Sequence, residues 1–333
     1  MRPKLFNIEF LRTVCVMVVV YYHVYCRYIS TEIPHPYTVW SSKVLNDVIW
    51  IAVAMFLFIS GFLFVHQLRR NRYDSYTALA GNKALHILIP YTVFTAFLMV
   101  HSGSFNLVDL LHGGFWHLWF LPMLFCCFVL YFPLYSFIQK SKNQEIYELI
   151  LLILSYAASF IYINPEYAFI GFDNMLRWSF YFVLGMLIAA HYNAFDKLFQ
   201  CYKLWIPSIA LWGLNSILSD TPYRTYTWNN TLAVGLAIIS LFWLSTKIKT
   251  IGKSTDRIIL AFASGSMGVY IIHYFILIYS TSSTAFRLSG VNETASNFYV
   301  FIVLIAITIV SIAISYLITY VLSKFRFGKL IIG

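Results

Sequence analysis

An all-α, polytopic transmembrane helical bundle of about ten spans is the fold class this sequence predicts. Three observations predict it. Sixty per cent of the 333 residues are hydrophobic and 11% are charged, against roughly 45–50% and 25% in ordinary globular chains. The mean hydropathy of +0.73 is an average over the whole chain, so one anchor on a soluble body does not account for it. Apolar stretches of about 20 residues, enough to cross the roughly 30 Å hydrocarbon layer, recur along the length. Disordered, collagenous and disulfide-scaffold classes are excluded by the same composition.

Taken in order, the first span (8–28) follows Arg2 and Lys4 as a cleaved signal would. Glu9 and Arg12 interrupt its start, however, and no small-x-small site follows, so it reads as a retained helix. The second (44–66) begins beside Asp47, which either orients His23 or stands as a solvated loop acid. Its Ser60-Gly61 reads as close packing against the first span rather than as a nucleophile, since no Gly-x-Ser-x-Gly elbow is present. The third (83–101) starts at Lys83 and contains Pro90, and the fourth (117–137) has His117 and Trp119 at its outer end. The fifth (146–164) is followed by the two weakest, 175–192 and 203–219, and then by 231–247. The ninth (258–281) carries His273 near Gly265 and Gly268, and the tenth (297–323) is among the strongest. Connectors are short and polar, so residues 1–333 read as one integral-membrane domain without repeats.

The formal charge of +10 comes from 23 basic and 13 acidic residues. Ten spans put Arg27, Lys43, Arg177, Arg224 and Arg287 on one side, with Arg12 inside the first span. Every other Lys and Arg falls on the side of the N-terminus, which the positive-inside rule makes cytoplasmic, with both termini inside. The charge is thus a topology signal, and no nucleic-acid partner is needed to explain it. Cys15, Cys26, Cys126, Cys127 and Cys201 lack metal-ligand spacing and read as packing residues, with no metal expected.

Ionisable groups within spans are costly and face protein or water-filled cavities, which makes each a functional candidate. The first span has Glu9, Arg12 and His23. Eleven residues from Arg12 to His23 return to within about 20° of the same face, while the axial separation is about 16.5 Å. Glu9 lies about 40° from His23 and can pair with Arg12 at i,i+3. Either a ligand bridges two depths, or Arg12 snorkels to lipid phosphates while His23 bonds a neighbouring helix.

Four motifs in order resemble the integral-membrane acyltransferase family 3. Glu9-x-x-Arg12, ten residues and His23 is similar to that family's opening, and Phe56-Leu57-Phe58-Ile59-Ser60-Gly61-Phe62-Leu63 to its second span. His117-Leu118-Trp119-Phe120-Leu121-Pro122 resembles its fourth-span signature, and Ser266-Met267-Gly268-Val269-Tyr270-Ile271-Ile272-His273 its late Ser-x-Gly-x-Tyr-x-x-His element. One departure stands where the family often has Arg-x-x-Arg: here the segment is Lys83-Ala84-Leu85-His86. Lys83 keeps a point charge, but His86 cannot make a guanidinium fork.

The resemblance implies O-acyl transfer from a cytoplasmic donor, usually acetyl-CoA, to a hydroxyl of a cell-surface polysaccharide or its lipid-linked precursor. It places the chain in a bacterial inner membrane, with polysaccharide-assembly proteins as partners beside the lipid bilayer. An acceptor hydroxyl needs a general base working near neutrality, and His23 is the natural one, acting directly or by relaying an acyl group. Arg12, with Glu9, would complete the catalytic set. Arg12, Lys83, His86 and the cluster Arg69, Arg70 and Arg72 would hold donor phosphates. His117, Trp119, Tyr270 and His273 would line the acceptor site, or serve as interface anchors and packed polar residues. Trp116, Tyr223, Tyr226 and Trp228 would give a sugar-stacking outer surface, or an aromatic belt. The rival class is an exporter of a glycan or organic anion that uses Arg12 and His23 as binding and relay groups. The absence of two symmetric halves disfavours it.

Overall fold

The computed structural model describes residues 6–30, 36–73, 75–103, 105–113, 116–161, 163, 169–218, 228–279, 289–291 and 295–333. Those residues are helical, without strand, as the composition predicts. The helices are α1 (Phe6–Tyr25), α2 (Pro36–Leu68), α3 (Tyr76–Lys83), α4 (Ile89–His101), α5 (Leu107–His112), α6 (Phe120–Lys140), α7 (Gln144–Ala158) and α8 (Phe172–Ala190). They continue as α9 (Tyr192–Tyr202), α10 (Trp205–Leu218), α11 (Trp228–Ser245), α12 (Lys253–Ser264), α13 (Ser266–Tyr279), α14 (Asn297–Leu322) and α15 (Arg326–Ile331). Among the described residues, five stretches are long and apolar enough to cross a membrane: Phe6–Tyr28, Asp47–Leu68, Tyr76–His101, Leu107–Lys140 and Asn297–Leu322. The chain is a multi-pass membrane protein. Arg2, Lys4, Tyr223, Arg224, Tyr226 and Arg287, and the side chains of Lys43 and Trp228, lie outside the described residues.

Two compact units divide the chain, one made of residues 1–53, 216–223 and 244–332, the other of 54–215 and 224–243. In the first, α1 packs against α12, α13 and α14, and α13 packs along α14. Small residues set that approach. Any Cβ at Gly268 would run into Thr319, and one at Gly265 would press on the Tyr316 ring. The facing hydroxyls of α14 are satisfied within their own helix: Thr308 donates to Leu304 O at 2.8 Å, Ser315 to Ser311 O at 2.7 Å and Thr319 to Ser315 O at 2.8 Å. Back-bonding to the preceding turn lets polar side chains sit in a membrane helix without orphaned groups.

The ninth predicted span is not one helix. It breaks between Ser264 and Ser266, and α12 and α13 meet at a bend of 73°. The apolar pattern continues across the break, but Gly265 ends α12, and α12 itself is amphipathic, with Ile259, Phe262 and Ala263 buried and Lys253 and Arg257 exposed. Asp47 differs too. It is buried, not a solvated loop acid, and accepts a hydrogen bond from Ser216.

In the second unit, the Ser60-Gly61 step packs against α8. A Cβ on Gly61 would strike the carbonyl of Phe182, and one on Gly185 the carbonyl of Phe58. The two glycines thus let the backbones of α2 and α8 touch. Ser60 Oγ donates to Phe56 O at 2.8 Å, as a packed helical serine does. Around the crossing Phe64, Phe128, Tyr131 and Phe182 interlock, with ring centroids 5.4–5.8 Å apart among the pairs involving Phe182 and Phe64. The one deeply buried carboxylate of α7, Glu148, accepts from His191 Nε2 at 2.6 Å and Gln144 Nε2 at 2.8 Å, which tethers α7 to the end of α8. The amphipathic α9, with Phe195 and Phe199 buried, is an element that hydropathy alone does not mark as a span.

Candidate active site

Two helices of the first unit present a polar face to each other. From α1 come Glu9, Arg12 and His23; from α13 come Ser266, Tyr270 and His273. Ser266 and His273 are seven residues apart, two helical turns, so they share a face about as closely as Arg12 and His23 do. The helices meet at two levels. At the first, Arg12 Nη1 donates to Glu9 Oε2 at 3.3 Å and Nη2 donates to Ser266 Oγ at 3.2 Å. At the second, Nδ1 of His23 lies 2.8 Å from Nε2 of His273. Both levels join residues in the same order along α1 and α13, so the two helices run parallel.

Each level has its own chemistry. The Arg12–Glu9 pair holds a guanidinium in apolar surroundings with its counter-charge beside it, and 31% of the Arg12 side chain remains exposed. Ser266, itself buried, fixes one nitrogen of the fork. A planar cation held in this way suits a phosphate or carboxylate. At the other level the two imidazoles meet edge to edge through Nδ1 of His23 and Nε2 of His273, with centroids 5.0 Å apart and planes 22° from parallel. Tyr274 stands edge-on to His23 at 5.5 Å, and Tyr270 lies 6.1 Å from His273. Joined imidazoles can accept a proton at one end while a hydrogen bond steadies the charge at the other.

The remaining predicted residues belong to the second unit. Arg69 donates to Ala189 O at 3.1 Å and Ala190 O at 3.0 Å, so it neutralises the last carbonyls of α8. Arg70 and Arg72 are exposed in the turn after α2, where Arg72 lies 5.8 Å from the Tyr73 ring. Lys83 ends α3 with its ammonium 3.7 Å from the centre of the Phe128 ring, a close cation–π contact. His86 is exposed in the π-helical turn Ala84–Leu88 that leads into Pro90. His117 is buried in the 3₁₀ turn Trp116–Trp119, and Trp119 packs on Trp178 with centroids 5.6 Å apart.

Ser266 joins the site beyond the residues predicted from the sequence, although its seven-residue spacing from His273 is open to the same face arithmetic as Arg12 and His23. His273, expected either to line the acceptor site or to be a packed, hydrogen-bonded residue, is buried and bonded to His23. Among the described residues, no group of three or more His, Cys, Asp or Glu side chains has the arrangement of a metal site.

A family model described as an acyltransferase domain, that of acyltransferase family 3, matches residues 5–320. No curated protein and no solved structure matches the chain.

Proposed function

The chain belongs to acyltransferase family 3, and from that premise we propose that this membrane acyltransferase is an O-acetyltransferase of surface glycans. The donor is cytoplasmic acetyl-CoA; the acceptor is a hydroxyl of a cell-surface polysaccharide or of its lipid-linked precursor. The membrane is the bacterial cytoplasmic membrane, crossed about ten times with both termini inside. The observation that carries the reading is the pairing of a guanidinium level at Arg12 with an imidazole level at His23 on one face of α1. Their axial separation of about 16.5 Å suits a donor whose anionic groups and thioester lie far apart.

In the proposed reaction His23 takes the acceptor's proton while the hydroxyl oxygen attacks the thioester carbonyl. The new C–O bond forms, the C–S bond breaks, and CoA leaves as thiolate, which takes up a proton. Arg12, positioned by Glu9 and Ser266, holds an anionic part of the donor. Lys83, His86, Arg70 and Arg72 supply further donor contacts, while Arg69 shares that role with capping α8. Tyr270 faces the acceptor. Polysaccharide-assembly proteins are the expected neighbours. Deleting the gene and comparing surface glycans by mass spectrometry tests this. Loss of an acetyl increment, restored by the wild-type gene and not by His23→Ala, is the expected result. A glycan of unchanged structure trapped inside the cell would instead identify an exporter.

A further inference from the structure

Resting on the reading of His23 as the base, we propose that His273 is a positioning residue that sets the tautomer and orientation of His23. A chain of hydrogen bonds runs from the Val269 carbonyl outward to His23. The carbonyl of Val269 can only accept, and His273 Nδ1 lies 3.1 Å from it, so that nitrogen carries the hydrogen. A neutral imidazole has a single N–H. Nε2 of His273 is therefore an acceptor, and it lies 2.8 Å from Nδ1 of His23, which must donate. His23 then holds its own hydrogen on Nδ1 and its basic lone pair on Nε2. A backbone carbonyl one helical turn away thus decides which atom of His23 takes the acceptor's proton.

The orienting ring is itself well fixed. His273 has no solvent exposure, and its helix is held close to α14 by Gly265 and Gly268. When the acceptor's proton arrives on Nε2, His23 becomes an imidazolium whose Nδ1–H still donates to His273. The second ring stabilises that cation without taking its proton. This is the role that a third, orienting group plays beside many catalytic bases.

The test compares His273→Leu, His273→Gln and His23→Ala, reconstituted in liposomes with acetyl-CoA and a glycan acceptor. The leucine keeps bulk and removes the acceptor; the glutamine amide oxygen restores one. The expected result is a fall in kcat of at least about tenfold for His273→Leu, with donor KM within about twofold of wild type and substantial recovery in His273→Gln. In parallel, ¹⁵N-histidine solid-state NMR of the wild-type protein should show the His23 ring protonated on Nδ1, its signal identified by its loss in His23→Ala. An Nε2–H tautomer of His23 in the wild type overturns the proposal even where a variant does not fold. So does a fully active, folded His273→Leu beside an inactive His23→Ala. An active His23→Ala, by contrast, refutes the assignment of the base itself.

Discussion

Ser266→Ala is a small change with a calculable consequence. The hydroxyl removed accepts from Arg12 Nη2 at 3.2 Å. A hydrogen bond to a charged group contributes roughly 1.5–3 kcal/mol when well buried. Arg12 keeps 31% of its side chain exposed, and water can replace part of what is lost, so about 1 kcal/mol is the reasonable figure. If Arg12 grips an anionic part of the donor equally in ground and transition states, that energy is lost from donor binding alone. Donor KM should then rise about fivefold with kcat unchanged. Arg12→Lys should do more, because an ammonium has no fork to engage Glu9, Ser266 and a ligand together. The assay is initial-rate kinetics in liposomes, with acetyl-CoA varied at saturating acceptor. A donor KM unmoved by Ser266→Ala, with Arg12→Ala severely impaired, would show that the α13 contact does not position Arg12.

Other expectations concern the scaffold and the donor residues. Gly185→Ala should lower the melting temperature in detergent markedly, because its Cβ meets the backbone of α2 and not a movable side chain; an unchanged melting temperature would contradict the crossing. Gly268→Val should separate α13 from α14 and, by carrying His273 away from His23, reduce activity more than Gly213→Val, whose Cβ meets nothing. Arg69→Ala should cost about 1 kcal/mol of stability by leaving two α8 carbonyls without their cation, read as a lowered detergent melting temperature. Lys83→Ala should raise donor KM; Lys83→Arg should restore it if charge alone matters.

Hydropathy makes the helical class legible because a membrane helix must be apolar over its length and must satisfy its own backbone. The same signal hides the break at Gly265, since α12 and α13 share one apolar run and a glycine between small residues reads equally as packing. Periodicity shows that Glu9, Arg12 and His23 share a face, and the same arithmetic applies to Ser266 and His273. It does not show that these two faces meet. His23 and His273 are 250 positions apart, and a single sequence carries no information on which distant faces pack. Gly61 illustrates the same limit: its small size announces a close approach, but only the fold identifies α8 as the neighbour. Asp47 was hidden because an acid at the edge of an apolar run gives no sign of the Ser216 hydroxyl that receives it.

In the proposed mechanism His23 removes the acceptor's proton as the acyl group is transferred. Reconstituted protein given radiolabelled acetyl-CoA and a deacetylated glycan tests it most directly. Wild type should transfer label to the glycan, and His23→Ala, inserted and folded, should do so at least about 100-fold more slowly. Equal transfer by both proteins would show that a group other than His23 takes the proton.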